Sequence, residues 1–102
     1  MLQPSSIYKQ PWEVIKYTID VSALLTGGAT ISFLEVKAFD TANNDVTSTI
    51  INASSYSGSE VYVTVQNGTA NSRYDIRIRL TLSDGQQFEE DLVLRVVEYN
   101  AS

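Results

Sequence analysis

Histidine and cysteine are both missing from this chain of 102 residues, and only two prolines and five glycines interrupt it. Without cysteine, no disulfide contributes to stability. Without either residue, the usual zinc, copper and iron sites lose their main ligands, and the commonest general base is gone. Serine and threonine nucleophiles therefore lack their familiar partner. Positive charge is also scarce. Seven Lys and Arg face twelve Asp and Glu, giving a net charge of −5, which argues against non-specific binding to nucleic acid or to an anionic membrane. No stretch approaches the ~18 apolar residues of a membrane span. Met1 to Trp12 has neither the cationic start nor the apolar run of a signal peptide, so synthesis in the cytoplasm, until assembly or another route of release, is the expectation.

What remains is a globular composition, 43% apolar and 19% charged, in a length that suits one domain. A domain of this size buries about two-thirds of its unfolded surface, enough for a core without staples. The strongest pattern runs from Tyr74 to Val97. Tyr74, Ile76, Ile78, Leu80 and Leu82 alternate with Asp75, Arg77, Arg79 and Thr81, a period of 2 that predicts a strand with one buried face. Ser83-Asp84-Gly85 reads as a hairpin turn, and Phe88, Leu92, Leu94 and Val96 continue the same parity on the return strand. Two registers keep that buried face. One sets Arg79 opposite Asp91 and Asp75 opposite Arg95. The other, slipped by two, sets Arg77 opposite Asp91 and Arg79 opposite Glu89. The first avoids Arg73 facing Arg95 and is preferred.

A two-stranded ribbon is not stable alone, so the rest of the chain must cover it. Residues 1–12 lack a clear period. Pro4 and Pro11 disfavour ladder pairing, and the expectation is an extended arm carrying Tyr8, Pro11 and Trp12, with residues 13–102 as a single β-sandwich domain. Trp12 is expected either to cap one end of the core or to anchor a partner. Glu13 to Val21 predicts a strand, and Ser22 to Gly28 a short helical turn or plug stopped by the glycine pair, with Leu24 and Leu25 under one end of the sandwich. Thr30 to Phe39 predicts a strand whose apolar phase switches near Phe33-Leu34, as at a bulge. Val46 to Ile51 predicts a short strand and Asn52 to Ser59 a flexible loop centred on Tyr56, which is either a binding residue or a lid on the core edge. Glu60 to Gln66 alternates cleanly. Tyr74 is placed like the tyrosine of a tyrosine corner. The sum is an all-β, immunoglobulin-like antiparallel β-sandwich of about seven strands.

Chemistry is thin. Asp40 to Asp45 has cation-binding side chains but lacks the glycine and closing glutamate of an EF-hand loop. Glu89-Glu90-Asp91 resembles paired carboxylates, but Glu89 and Asp91 are expected outward, opposite arginines, with Glu90 at a rim. Three Asn-x-Ser/Thr sequons fit chance in so Asn-, Ser- and Thr-rich a chain. No catalytic residue, cofactor or metal is expected. Arg73, Arg77, Arg79 and Arg95 form either a solvated, ion-paired face or a docking face for an acidic partner.

From Lys9 to Phe33 the sequence K-Q-P-W-E-V-I-K-Y-T-I-D-V-S-A-L-L-T-G-G-A-T-I-S-F resembles small virion proteins of tailed bacteriophages, the fibre–tail adaptor proteins, at Lys9, Pro11, Glu13, Tyr17, Asp20, Leu25, Gly28 and Ile31. The Val61–Val65 strand, Tyr74 and the Ser83/Gly85 turn continue the likeness. Ala29 and Asn67-Gly68 depart from it. The resemblance implies a structural part of a virion, an adaptor joining tail or fibre proteins by protein–protein contact. From the acidic net charge no nucleic acid or membrane partner is expected, and a homo-oligomer is an option in assembly. The expected contact residues are Tyr8, Pro11 and Trp12, then Tyr56, with Arg77 and Arg79 on the ribbon face. A carbohydrate- or host-surface-binding module using Tyr56, Tyr62 and Trp12 is the alternative.

Overall fold

The computed structural model describes residues 5–98. Seven strands form: β1 (Ser5–Lys9), β2 (Ile15–Asp20), β3 (Ile31–Phe39), β4 (Ile51–Ser57), β5 (Glu60–Val65), β6 (Ser72–Leu82) and β7 (Gln87–Val96). They make two sheets, one ordered β1-β7-β6-β3 and one ordered β2-β5-β4. The expected all-β two-sheet sandwich is what forms, and a single 3-10 turn at Ser22–Leu24 buries Leu24. The parity of the β6–β7 ribbon holds throughout: Tyr74, Ile76, Ile78, Leu80, Leu82, Leu92, Leu94 and Val96 are all buried. Facing them from the smaller sheet are Val61, Val63 and Val65, each fully buried. Burying a side chain of this size contributes about 1.5–3 kcal/mol, so these two rows account for most of the driving force.

The ribbon adopts the slipped register, with Arg77 opposite Asp91, Arg79 opposite Glu89 and Arg73 opposite Arg95. The turn decides this. The Gly85 N–H donates to Leu82 O and the Leu82 N–H to Gln86 O, closing a three-residue loop with Gly85 at φ 91°. Such a loop, ending in a left-handed residue, is a favoured hairpin connection. The preferred register would have centred the loop on Gly85 instead of ending it there. The facing arginines are exposed, and Arg73 Nε lies 3.9 Å from Asp75 Oδ1, so the like-charge contact is diluted by solvent and by a neighbouring carboxylate.

Four other expectations change. Residues 5–9 do enter a ladder: β1 runs parallel to β7, with Tyr8 opposite Arg95 and Lys9 opposite Val96. Pro11 lies in the turn after this segment and does not block the ladder, and Pro4, with the rest of residues 1–4, lies outside the described residues. Thr47–Ile50 is a helical turn rather than a strand. Asp45 Oδ1 accepts the Thr47 N–H (2.9 Å) and its hydroxyl (2.6 Å), an Asx turn that leads the chain into the helical turn despite the β-branched composition. The stretch expected as a loop around Tyr56 is β4, paired with β5 so that Tyr56 faces Val61. Glu90, expected at a rim, is buried opposite Ile78. The β3 bulge falls between Ile31 and Phe33, close to the phase switch.

The corner before β6 is tied as the tyrosine suggested. Tyr74 Oη accepts the Thr69 N–H at 3.0 Å, and the Asn71 N–H donates to Val96 O at 2.7 Å. Gly68, at φ 97°, lets the backbone pass so close to β7 that a Cβ there would sit 2.6 Å from Val96 Cγ2.

Candidate docking surface

Pro11 and Trp12 occupy the corner between β1 and β2, where the chain crosses from one sheet to the other. The Glu13 N–H donates to Gln10 O at 3.1 Å, so Gln10-Pro11-Trp12-Glu13 is a β-turn with proline at its second position, where the fixed φ of the ring is favourable. The Gln10 N–H donates to Glu13 Oε1 at 2.6 Å. Beneath the turn lies Lys9, only 1% exposed. Its Nζ donates to Gln10 O (2.7 Å), to Pro11 O (3.2 Å) and to Asn67 O. One buried ammonium thus fastens two carbonyls of the turn to the loop that carries Gly68. Burial lowers the Lys9 pKa below its ordinary value, against an opposing pull from Glu13. Lysine is rarely buried unless its charge is paired, and here hydrogen bonds to carbonyls do the work that an acid usually does.

On this clamped turn Trp12 is 93% exposed. The core-capping alternative for it therefore does not hold. Tyr8 (51%) before the turn and Val14 (60%) after it are exposed as well, and the Tyr17 hydroxyl donates to Tyr8 O at 2.6 Å, pinning β1 against β2. Burial, reinforced by Glu13, raises the Tyr17 pKa, so this donor stays protonated through the neutral range. Val14 was not marked by sequence reasoning. Its odd spacing before the alternating run was the available signal.

The other candidates lie elsewhere. Tyr56, 39% exposed, sits on β4, the opposite edge of the three-stranded sheet from β2. The ladders align Ile15, Val65 and Ile51 on one rung and Ile19, Val61 and Tyr56 on another, about 13 Å further along at 3.3 Å per residue. Arg77 and Arg79 project from the outer face of the four-stranded sheet. The Arg77 guanidinium stacks 5.0 Å from the Phe39 ring centre. Arg79 Nε donates to Glu89 Oε1 at 2.7 Å, and its Nη1 lies 4.0 Å from Glu35. Both arginines are thus engaged within the sheet. Tyr62 has Lys16 Nζ 4.5 Å above its ring and donates its hydroxyl to Glu60. The structure brings Tyr8, Pro11 and Trp12 into one strand–turn segment, and separates Tyr56 and the arginines from it.

Asp40 accepts N–H donors from Ala42 and Asn44, organising its own turn. Among the described residues, no group of three acidic side chains is arranged to hold a metal, and no helix is long and apolar enough to cross a membrane. No curated protein matches the chain. The family model described as podophage GP4 fiber-tail adaptor protein gp77 matches residues 9–95, a span running from the buried lysine to the last rungs of β7.

Proposed function

Since the chain belongs to the podophage fibre–tail adaptor family, a family of structural virion parts, we propose that it joins tail and fibre components through the Trp12 turn. The observation that carries this is one exposed tryptophan on a corner held by five hydrogen bonds. Tryptophan and tyrosine dominate the energetics of protein contacts, and a residue whose backbone is already held in a turn has less entropy to lose on docking. Tyr8 and Val14 would complete the contact, with Pro11 stiffening it. Tyr56 and Arg77, which lie away from this turn, would serve a second component, as an adaptor requires. Catalysis has no part in this role, and neither does nucleic acid or membrane. The protein would be made in the host bacterial cytoplasm and assemble into the virion, with repetition around the tail as an option.

The test is the point variant Trp12→Ala rather than removal of residues 1–12, because that truncation would take away β1 and the buried Lys9. Trp12→Ala should fold normally and yield particles depleted in fibre. Normal fibre content in particles carrying the variant would sink the proposal.

A further inference from the structure

The outer face of the four-stranded sheet carries a second feature, independent of the Trp12 turn. At the β3 bulge the ring of Phe33 points outward and is 56% exposed. The ladders align Phe33, Thr81 and Gln87 on one rung and Glu35, Arg79 and Glu89 on the next outward rung. These six side chains, with Phe88 alongside, line a groove of about 380 Å³, within the size range of small-ligand sites.

The charges of the groove discriminate among ligands. An anion would meet two carboxylates, Glu35 and Glu89. A cation would meet the Arg79 guanidinium between them, with its Nε on Glu89 at 2.7 Å and its Nη1 4.0 Å from Glu35. These charges sum to −1, which disfavours an anion, and because Arg79 already engages Glu89 and faces Glu35, what the groove offers a ligand is hydrogen-bonding groups rather than a free charge. The exposed aromatic face adds that one side of the ligand is apolar. The Gln87 amide holds Thr81 only at 3.5 Å, the outer limit of a hydrogen bond, and can exchange that contact for a better one.

We propose that this groove binds the neutral pyranose ring of a glycan. A pyranose has an apolar C–H face that packs on an aromatic ring, and hydroxyls that both donate and accept. Glu35 and Glu89 supply acceptors, Gln87 and Arg79 supply donors, and the planar carboxylate, amide and guanidinium groups suit pairs of neighbouring hydroxyls. Phe33 is the stacking platform.

The test is a ¹H–¹⁵N NMR titration of the whole protein with the methyl glycosides of glucose, galactose, mannose and N-acetylglucosamine at millimolar concentration, with choline and inorganic phosphate as charged probes. At least one glycoside should shift amides around Phe33, Arg79, Thr81 and Gln87, while choline and phosphate leave them still. Phe33→Ala should weaken that binding roughly tenfold, and Gln87→Ala should weaken it with the fold intact. Trp12→Ala should leave it unchanged, so failure here and failure of the docking turn are distinguishable. The proposal is overturned if no glycoside shifts the groove, if the shifts survive Phe33→Ala, or if a charged probe produces them instead.

Discussion

Gly68→Ala should be the most damaging single-methyl change at any glycine of this chain. The magnitude follows from two terms. At φ 97° a side chain is strained by about 1–2 kcal/mol. The new Cβ would also lie 2.6 Å from Val96 Cγ2 and 3.4 Å from Tyr74 Cε2. Val96 is fully buried and has nowhere to move, so overpacking adds about 1–3 kcal/mol. The smaller entropy of the unfolded variant offsets about 0.4–1 kcal/mol. The net loss is about 1–5 kcal/mol, centred near ~3 kcal/mol, which corresponds to roughly 12–24 °C in Tm for a domain of this size. Gly85→Ala is the control. Its φ of 91° imposes similar strain, but no atom lies within 4 Å of the added methyl, so it should lose only about 1 kcal/mol. Urea unfolding followed by far-ultraviolet circular dichroism measures both, since the exposed Trp12 is a poor reporter of the core. Equal losses at the two sites would refute the close approach of the Gly68 loop to β7.

Lys9→Met should lose about 1.5–3 kcal/mol, the worth of charge-assisted hydrogen bonds. It should also raise the mobility of Trp12, seen as lower fluorescence anisotropy, because two turn carbonyls lose their donor. Asp20, Asp40, Asp45 and Asp84 all have pKa values below the ordinary 3.8. The causes are the Ser22 N–H for Asp20, the Asn44 N–H for Asp40, the Thr47 hydroxyl for Asp45 and the Gln86 amide for Asp84, each followed by lesser bonds within the same turn. Each carboxylate therefore stabilises the fold above pH 3.8 and loses that contribution as the pH falls through its lowered folded value. Stability measured down an acid series should fall below that pH, and Asp40→Asn should flatten the slope while lowering stability at neutral pH.

How much of this was legible depended on whether a signal was local. The β6–β7 parity, the Val61–Val65 row, the β3 bulge and the Tyr74 tie were all written in spacing and residue type. The hairpin register was not settled by pairing, because a slip of two residues preserves both the buried face and the opposite charges. Only the chemistry of the Ser83-Asp84-Gly85 turn separates the two, and it outweighed the Arg73–Arg95 repulsion. β1 was hidden because its inward positions are Ile7 and Lys9, and a buried lysine reads as a surface residue until its three carbonyls are seen. β4 was hidden for the opposite reason. Asn52, Ala53, Ser54 and Ser55 have the composition of a loop, and β5 supplies the pairing that makes them a strand. In the candidate site, Trp12 stood out as a residue type, whereas its exposure depended on the Gln10–Glu13 turn. Phe33 was visible only as a phase irregularity.

The Trp12 turn is proposed to make the fibre–tail contact. The most direct measurement is fibre copy number, by quantitative mass spectrometry, on particles assembled with the Trp12→Ala protein. Burial of a tryptophan at a contact of this kind is worth about 2–4 kcal/mol, so affinity should drop roughly 30- to 700-fold. Circular dichroism should show an unchanged fold, as expected for a side chain that is 93% exposed. Particles that keep the adaptor variant but lose most of their fibre protein, or that lose both together, are the predicted result. Particles carrying the variant with a full complement of fibres would contradict the account.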